Sequence, residues 1–360
     1  MKIGVIGAGQ LGRMLALAGT PLDIEFTFLG QSDAPTLGPL VPGDLRDPDA
    51  LRAFTGCADI LTYETEHFAA ETLTASPTPV FPPVEAVVTV QDRLRQKEWL
   101  SALDLPLASF AAVDTQADLS EAAEQMGFPL VVKTRREGYD GRGQFVVRHA
   151  DDIDAAWKAL AHGGPLVAEQ FIAFEREVSL VSVRGQDGDI RFYPLVENRH
   201  ENGILAQTLA PAPELPPALT RDARSMVTRI LEAFDYVGVL TVEFFVDRDE
   251  RLLINELAPR VHNSGHWTIE GAETSQFENH VRAIAGLPLG STAVHGPSIL
   301  YNLVGKLPTT ATILAIEGAH LHRYGKRERP GRKLGHITLA APDPATLHER
   351  SALVEEALLA

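Results

Sequence analysis

Within the first ninety residues short apolar runs alternate with helical stretches, and no other feature of the chain limits its fold so tightly. Lys2–Ile6, Ile24–Leu29, Asp59–Tyr63 and Pro79–Phe81 read as strands, with Leu11–Ala18, Asp47–Phe54 and Ala69–Thr74 as the helices between them. Strands that alternate with helices make a parallel sheet covered on both faces. The chain has 360 residues, more than one ordinary core organises, so two or three domains are expected.

The texture changes near Asp92. Asp92–Leu103 reads as a charged helix that Leu105-Pro106 breaks, and beyond it strand pairs outnumber helices. Leu130–Lys133 and Gln144–Arg148 flank a glycine-rich segment, and Leu166–Phe171, Glu175–Val183 and Ile190–Val196 follow as strands. The helix Ala218–Phe234 leads into a hairpin, Leu240–Val246 and Arg251–Asn255, joined by the polar turn Asp247–Glu250. After Pro288 come strands at Ser298–Val304 and Lys333–Ala340 and a closing helix at Pro344–Leu359. The expected division is an α/β domain at 1–91, an α+β domain at 92–289 and a small α+β domain at 290–360. Pro211–Pro217 reads as a loop inside the second domain.

Apolar residues make up 45% of the chain and charged residues 22%, the balance of a folded globular protein. A net charge of -16 argues against a nucleic-acid or membrane-surface partner. A few local Arg and Lys side chains can still hold a small anion. Cys57 is the only cysteine, which excludes an intrachain disulfide and a cysteine-built metal site and fits a reducing compartment. Gln10 and Arg13 interrupt the first apolar run too early for the signal-peptide pattern. No apolar run approaches the ~18–20 residues of a membrane helix, and a cytoplasmic protein is expected.

Gly7-Ala8-Gly9-Gln10-Leu11-Gly12 matches the dinucleotide pattern G-x-G-x-x-G in a strand-to-helix setting. Glycines let the backbone approach a phosphate, and a helix N-terminus offers it free N–H groups. The acidic residue that should close the second strand and grip a ribose is out of place, because that strand ends Leu29-Gly30-Gln31-Ser32 with Asp33 late. A nicotinamide site, a cradle for another phosphorylated ligand and plain helix–strand packing all stay open. Arg13, directly after the last glycine, favours an anion.

The second domain carries a denser set. Lys133 ends an apolar strand, where an ammonium is costly without a negative partner. Gly138-Tyr139-Asp140-Gly141-Arg142-Gly143-Gln144 follows, a loop whose N–H groups can fold over phosphates. An ordinary hairpin tip accounts for the glycines but not for the Lys and Arg beside them. Glu169-Gln170-Phe171-Ile172 closes another strand, whose edge can pair with adenine, and Glu177 on the next can meet ribose hydroxyls. Glu243 lies in the apolar run Thr241–Phe245, and Asn255-Glu256 ends the partner strand. Two carboxylates and an amide oxygen suit Mg²⁺ bridging ATP phosphates, against an ion pair with Arg260 as the competing reading. There is no P-loop and no kinase signature.

In this order, Lys133, the YDGRGQ loop, EQFI and the Glu243 and Asn255-Glu256 hairpin resemble the ATP-grasp superfamily. GAGQLGRM at the start, DRLRQK at Asp92–Lys97, APRVHNSGHWT at Ala258–Thr268 and RKLGHIT at Arg332–Thr338 extend the likeness along almost the whole chain, to the 5-(carboxyamino)imidazole ribonucleotide synthase family. The resemblance implies a Rossmann-like pre-ATP-grasp domain with a parallel sheet, a central ATP-grasp domain and a small C-terminal domain. It places ATP against Arg93, Lys133, the segment Gly138–Gln144, Glu169–Ile172, Glu177, His200, Asn255 and Glu256, with Mg²⁺ on Glu243 and Glu256. Tyr139, Asp140, Arg142, Arg260, His262 and Lys333 would hold aminoimidazole ribonucleotide and the reacting carboxyl group, with Gly9, Gln10 and Leu11 seating the ribotide. Lys133, Arg142, Arg260 and His262 would be catalytic, and Glu64 or Glu66 would face the same cleft.

The implied reaction uses ATP to convert bicarbonate to carboxyphosphate, then carboxylates the exocyclic amine of aminoimidazole ribonucleotide in purine biosynthesis. The glycine-rich loop must close, since water would destroy carboxyphosphate. Another ATP-grasp ligase, such as a formate-dependent glycinamide ribonucleotide transformylase, is the nearest alternative. An NAD-dependent oxidoreductase resting on Gly7–Gly12 is the alternative from another class. The family suggests a homodimer.

Overall fold

A computed structural model describes residues 1–138 and 143–359. Tyr139, Asp140, Gly141 and Arg142, four of the expected site residues, lie outside the described residues.

β1 (Lys2–Ile6), β2 (Glu25–Gly30), β3 (Leu40–Pro42) and β4 (Ile60–Tyr63) form the N-terminal sheet, in the order β3-β2-β1-β4. Every pairing in it is parallel, as the alternating pattern requires. α1 (Gln10–Gly19), α2 (Pro48–Thr55) and α3 (Val84–Val90) accompany it. The Asp47 carboxylate caps α2 by accepting the Asp49 N–H, with Pro48 in the first turn. The expected strand Pro79–Phe81 shrinks to one parallel bridge, Leu61 to Val80. Pro79 and Pro82 bracket it and have no N–H with which to lengthen the ladder.

α4 (Arg93–Ala102) opens the second domain, and the Asp92 carboxylate caps it by accepting the Leu94 and Arg95 N–H groups. β5 (Phe110–Val113), β6 (Leu130–Thr134), β7 (Gln144–Val147) and β8 (Leu166–Gln170) form a small antiparallel sheet, ordered β5-β8-β6-β7. α5 (Gln116–Met126) and α6 (Asp152–Leu160) bury Leu119, Ala122, Ala156 and Leu160 against it.

A larger antiparallel sheet joins β9 (Arg176–Arg184), β10 (Ile190–Phe192), β11 (Val196–Glu201), β12 (Ile204–Ala210), β13 (Gly238–Val246), β14 (Leu252–Ala258), β15 (Ser298–Val304), β16 (Ala319–Arg323) and β17 (Lys333–Ala340). Its path is β14-β13-β9-β11-β12-β15-β17-β16, with β10 also paired to β9. The β12–β15 pairing therefore carries the sheet directly into the last seventy or so residues. The expected strand Ile190–Val196 is two strands, because Pro194 interrupts it. The β11–β12 hairpin turns at Asn202-Gly203, both with positive φ, and an Asn-Gly pair is the strongest short hairpin signal in a sequence. His200 lies on this hairpin's first strand.

α7 (Pro217–Ala233), α8 (Thr268–Gly271), α9 (Gln276–Ile284), α10 (Thr310–Leu314) and α11 (Pro344–Leu359) complete the chain. α9 joins the domains: Phe277, Val281 and Ile284 share one core with Leu11, Met14 and Leu15 of α1 and with Trp267, which is 0% exposed. No described helix is long and apolar enough to cross a membrane.

His280, also on α9, ties the N-terminal sheet to the large one. Its Nδ1 accepts the Val239 N–H at 3.1 Å, so its proton is on Nε2, 2.9 Å from the Thr62 hydroxyl. Burial pushes its pKa down to about 3. The unfolded chain takes up this proton below ~6.5 and the folded one does not, so the stability is complete above that pH and is lost as pH falls, by about 1.4 kcal/mol per unit. Urea unfolding from about pH 7.5 down to about pH 5 should show this slope, and His280→Gln should flatten it by roughly one proton. An unchanged slope would place the titration elsewhere.

Candidate active site

The small and large sheets face each other across a cleft of about 810 Å³, and the N-terminal domain closes one end of it. Lys133 and Gln144, at the ends of β6 and β7, line one wall. Gly138, Glu169, Gln170, Phe171 and Ile172 line it too. Glu177, His200, Glu243, Asn255 and Glu256 line the opposite wall, from the large sheet. Gly9, Gln10, Leu11, Arg260, His262 and Lys333 surround the N-terminal end. One concavity thus collects nearly every expected site residue among those described.

At the small-sheet end, one carboxylate oxygen of Glu169 accepts from two ammoniums, Lys133 and Lys97, each at 3.0 Å. Burial alone would raise the Glu169 pKa, but the two cations outweigh it and hold it below the usual carboxylate range. Phe174 and Phe245 stack at 4.6 Å on the cleft wall, and Phe174 is 42% exposed. Such a platform suits a purine. Arg93 donates to the Thr134 and Gly138 carbonyls and so braces the stem of the glycine-rich segment. Asp92 grips Arg135 beside it at 2.7 Å.

The large-sheet wall is acidic. Glu243 on β13 faces Glu256 on β14, and the register then skips Asn255. This bulge lets Asn255 and Glu256 both reach the cleft, as a regular strand would not. Burial and then Glu256 push the Glu243 carboxyl up to about 8. His200 Nδ1 lies 2.9 Å from Glu177; burial lowers its pKa, but the carboxylate prevails and raises it.

His262 approaches Glu243 from the third side, with Nε2 at 3.1 Å. Behind it runs a buried chain of hydroxyl and amide groups: Thr208 to Asn198, Asn198 to Ser179, Ser179 to Ser264 and Ser264 to His262 Nδ1, each at 2.8 or 2.9 Å. Ser264 also directs its N–H at Nδ1, so the imidazole proton is on Nε2 and points at Glu243. Burial, then Arg260 and Lys333, keep this ring neutral.

At the N-terminal end Arg260 pairs with Glu66 at 2.9 Å, so its ion pair is not with Glu243 or Glu256. Glu64 accepts the N–H groups of Gly9 and Gly12, the latter at 2.7 Å. A Cβ on Gly7, whose φ is +109, would lie 2.4 Å from the Glu64 side chain, which is why this position takes glycine. Glu66 is thus the partner of a cationic side chain, and Glu64 the partner of the glycine turn.

Residues 98–277 match the ATP-grasp domain family, residues 1–91 the ribonucleotide synthetase preATP-grasp domain and residues 298–350 the phosphoribosylaminoimidazole carboxylase C-terminal domain. The N5-carboxyaminoimidazole ribonucleotide synthase of Pseudomonas aeruginosa is 49% identical over 360 residues, covering 99% of both chains. The chain belongs to the N5-carboxyaminoimidazole ribonucleotide synthase family. The crystal structure of the synthetase from Thermus thermophilus is 50% identical with a TM-score of 0.93, covering 99% of this chain and 98% of that one. The enzyme from Aspergillus clavatus in complex with ADP and 5-aminoimidazole ribonucleotide is 35% identical, with a TM-score of 0.91 and 99% and 97% coverage. The chain is an ATP-grasp ligase with the fold of a pre-ATP-grasp domain, an ATP-grasp domain and a C-terminal domain, and it uses ATP.

Several contributors to the cleft escaped the sequence reading. Lys97 lies in a charged helix and looks solvated, yet is 4% exposed. Phe174 and Phe245 gave no signal beyond apolarity. Lys326 contacts Gln10 and lines a small recess beside the glycine turn with Arg13 and Ser32.

The donor set fits Mg²⁺. Among the described residues no group of three or more His, Cys, Asp or Glu side chains forms a protein-only cage, and Mg²⁺ uses one or two carboxylates plus phosphates. A cation at Glu243 would draw the proton from its raised carboxyl. Joint binding of Mg²⁺ and ADP at about pH 7 should therefore release about one proton, measured by calorimetry in buffers of different ionisation heat. Glu243→Gln should abolish most of that release.

Proposed function

We propose that this cleft carboxylates 5-aminoimidazole ribonucleotide, converting ATP and bicarbonate to ADP and phosphate and giving N5-carboxyaminoimidazole ribonucleotide. The observation that carries the reading is the division of one cleft into a base and phosphate end, Lys133 with Glu169, and an anion end, Arg260 with His262 and Lys333. The acidic pair Glu243 and Glu256 lies on the wall that both ends share.

A bicarbonate oxygen attacks the γ-phosphorus of ATP, the bond to ADP breaks, and carboxyphosphate forms. The exocyclic amine then bonds to the carboxyl carbon, directly or after CO₂ is freed. Inorganic phosphate leaves with its bonding pair, and the amine nitrogen loses one proton. Glu243 and Glu256 would hold Mg²⁺, which would supply charge neutralisation at the phosphates. Lys133 stabilises the transferring phosphoryl group electrostatically. Arg93 supports the loop stem, Glu169–Ile172 meet the base, and Glu177, His200 and Asn255 complete the nucleotide side.

Arg260, fixed by Glu66, and His262, fixed in one tautomer by Ser264, hold the carboxyl donor. Lys333 adds positive charge there, Gly9, Gln10 and Leu11 seat the ribotide, and Lys326 adds a cation beside that seat. Tyr139, Asp140 and Arg142 keep the roles the family resemblance implies. The domains are 1–91, 92–289 and 290–360, in line with the three family matches. A cytoplasmic homodimer completes the reading, and light scattering on the purified chain tests the assembly.

Phosphate release on adding the ribotide should require bicarbonate, and formate should not replace it. Release with formate would turn the assignment to a transformylase. Arg260→Ala should lower carboxylation by about 10²–10³-fold while the ADP dissociation constant changes by less than about threefold. Equal losses in both would move Arg260 to the nucleotide side.

A further inference from the structure

Lys97 and Lys133 share a single oxygen of Glu169, each at 3.0 Å. The other oxygen, Oε1, is buried and has no hydrogen-bond partner. A buried carboxylate oxygen left bare is uncommon and needs a reason, and Glu169 lines the cleft beside the Phe174–Phe245 platform.

The two lysines are not equivalent. The Lys133 side chain is 16% exposed and on the cleft wall, whereas the Lys97 side chain is 5% exposed. An incoming triphosphate draws the nearer, more exposed ammonium to itself. If Lys133 were the only partner, Glu169 would then be a buried, uncompensated carboxylate and would take up a proton. A protonated carboxyl offers an O–H donor, which suits a 6-oxo purine, while a carboxylate only accepts, which suits the 6-amino group of adenine.

We propose that Lys97 is a positioning residue that acts through Glu169: it stays as the resident counter-ion when Lys133 turns to the phosphates, and so keeps Glu169 an acceptor that selects adenine over a 6-oxo base. This rests on the reading of the cleft as the ATP site. The charged groups facing Glu169 are Lys97 from α4 and Lys133 from β6, and Glu256 of β14 acts on Lys97. Both lysines lower the Glu169 pKa against burial, so loss of one raises it, and the acceptor form is then lost as pH falls.

The test compares ATP with ITP, which differ at the purine 6 substituent and in the hydrogen that the 6-oxo base carries on N1, as kcat/KM from about pH 6 to about pH 8. Wild type should prefer ATP with a ratio flat across this range. Lys97→Met should reduce the ATP to ITP ratio by about tenfold or more, with a further fall toward the acid end, and Lys97→Arg should restore both ratio and flatness. Glu169→Gln needs no counter-ion, so the double variant Lys97→Met with Glu169→Gln should fold and match Glu169→Gln alone in its relative affinity for ADP and IDP by calorimetry. That comparison holds even if Lys97→Met does not fold. A folded Lys97→Met enzyme with the wild-type ratio at every pH, or a double variant that loses adenine preference beyond Glu169→Gln, overturns the role of Lys97. Failure of the wild type to turn over ATP would overturn the nucleotide reading itself.

Discussion

Two acid side chains opposed across the β13–β14 ladder are the constraint around which the cleft is organised. Like charges directly opposite destabilise a sheet, and a nearly enclosed carboxylate makes that worse. The surroundings answer with cations and donors drawn from separate elements: His262 against Glu243, Arg260 behind both, His200 across the sheet and Lys97 from α4. None of these neutralises Glu243 fully, since its carboxyl still stands at about 8. A site left short of positive charge is prepared for a divalent ion and unsuited to being a purely structural ion-pair network.

Rigidity in that acidic wall comes from groups packed behind it. The Thr208–Asn198–Ser179–Ser264 chain holds one imidazole tautomer and leaves no polar atom of the chain to choose between arrangements. Buried networks of this kind specify one conformation when every member is satisfied. Gln96 acts similarly from α4, accepting the Leu257 N–H at 2.7 Å directly after Glu256. The helix that carries Arg93, Gln96 and Lys97 therefore positions the loop stem, the strand of Glu256 and the Glu169 carboxylate together.

Much of this was legible in the sequence because it is local. Lys133, the Glu169–Ile172 run, Glu243 and Asn255-Glu256 each stand in a short apolar strand where a charge is conspicuous, and the structure brings them to one cleft. The parallel N-terminal sheet followed from its alternation with helices. What was not legible depends on register or long separation. The bulge that skips Asn255 is decided by pairing with β13, which no residue type announces. Lys97 lies in a helix whose sequence reads as exposed, and only its ion pair with Glu169 of β8 shows it to be a buried counter-ion. The β11–β12 hairpin is the opposite case, since Asn202-Gly203 stated it plainly.

The glycine turn shows how far a motif can mislead when its partner is distant. Gly7–Gly12 has the strand, the turn and the helix of a dinucleotide site, and on local grounds a pyrophosphate could sit there. The N–H groups of Gly9 and Gly12 are instead given to Glu64, 55 and 52 residues away. A pyrophosphate cannot share those donors while the carboxylate holds them, and displacing it would leave a buried acid unpaired. The helix N-terminus thus keeps its preference for an anion, but the anion is built into the chain. The Rossmann-like domain gives up the cofactor its turn resembles and presents a fixed, hydrogen-bonded carboxylate to the cleft.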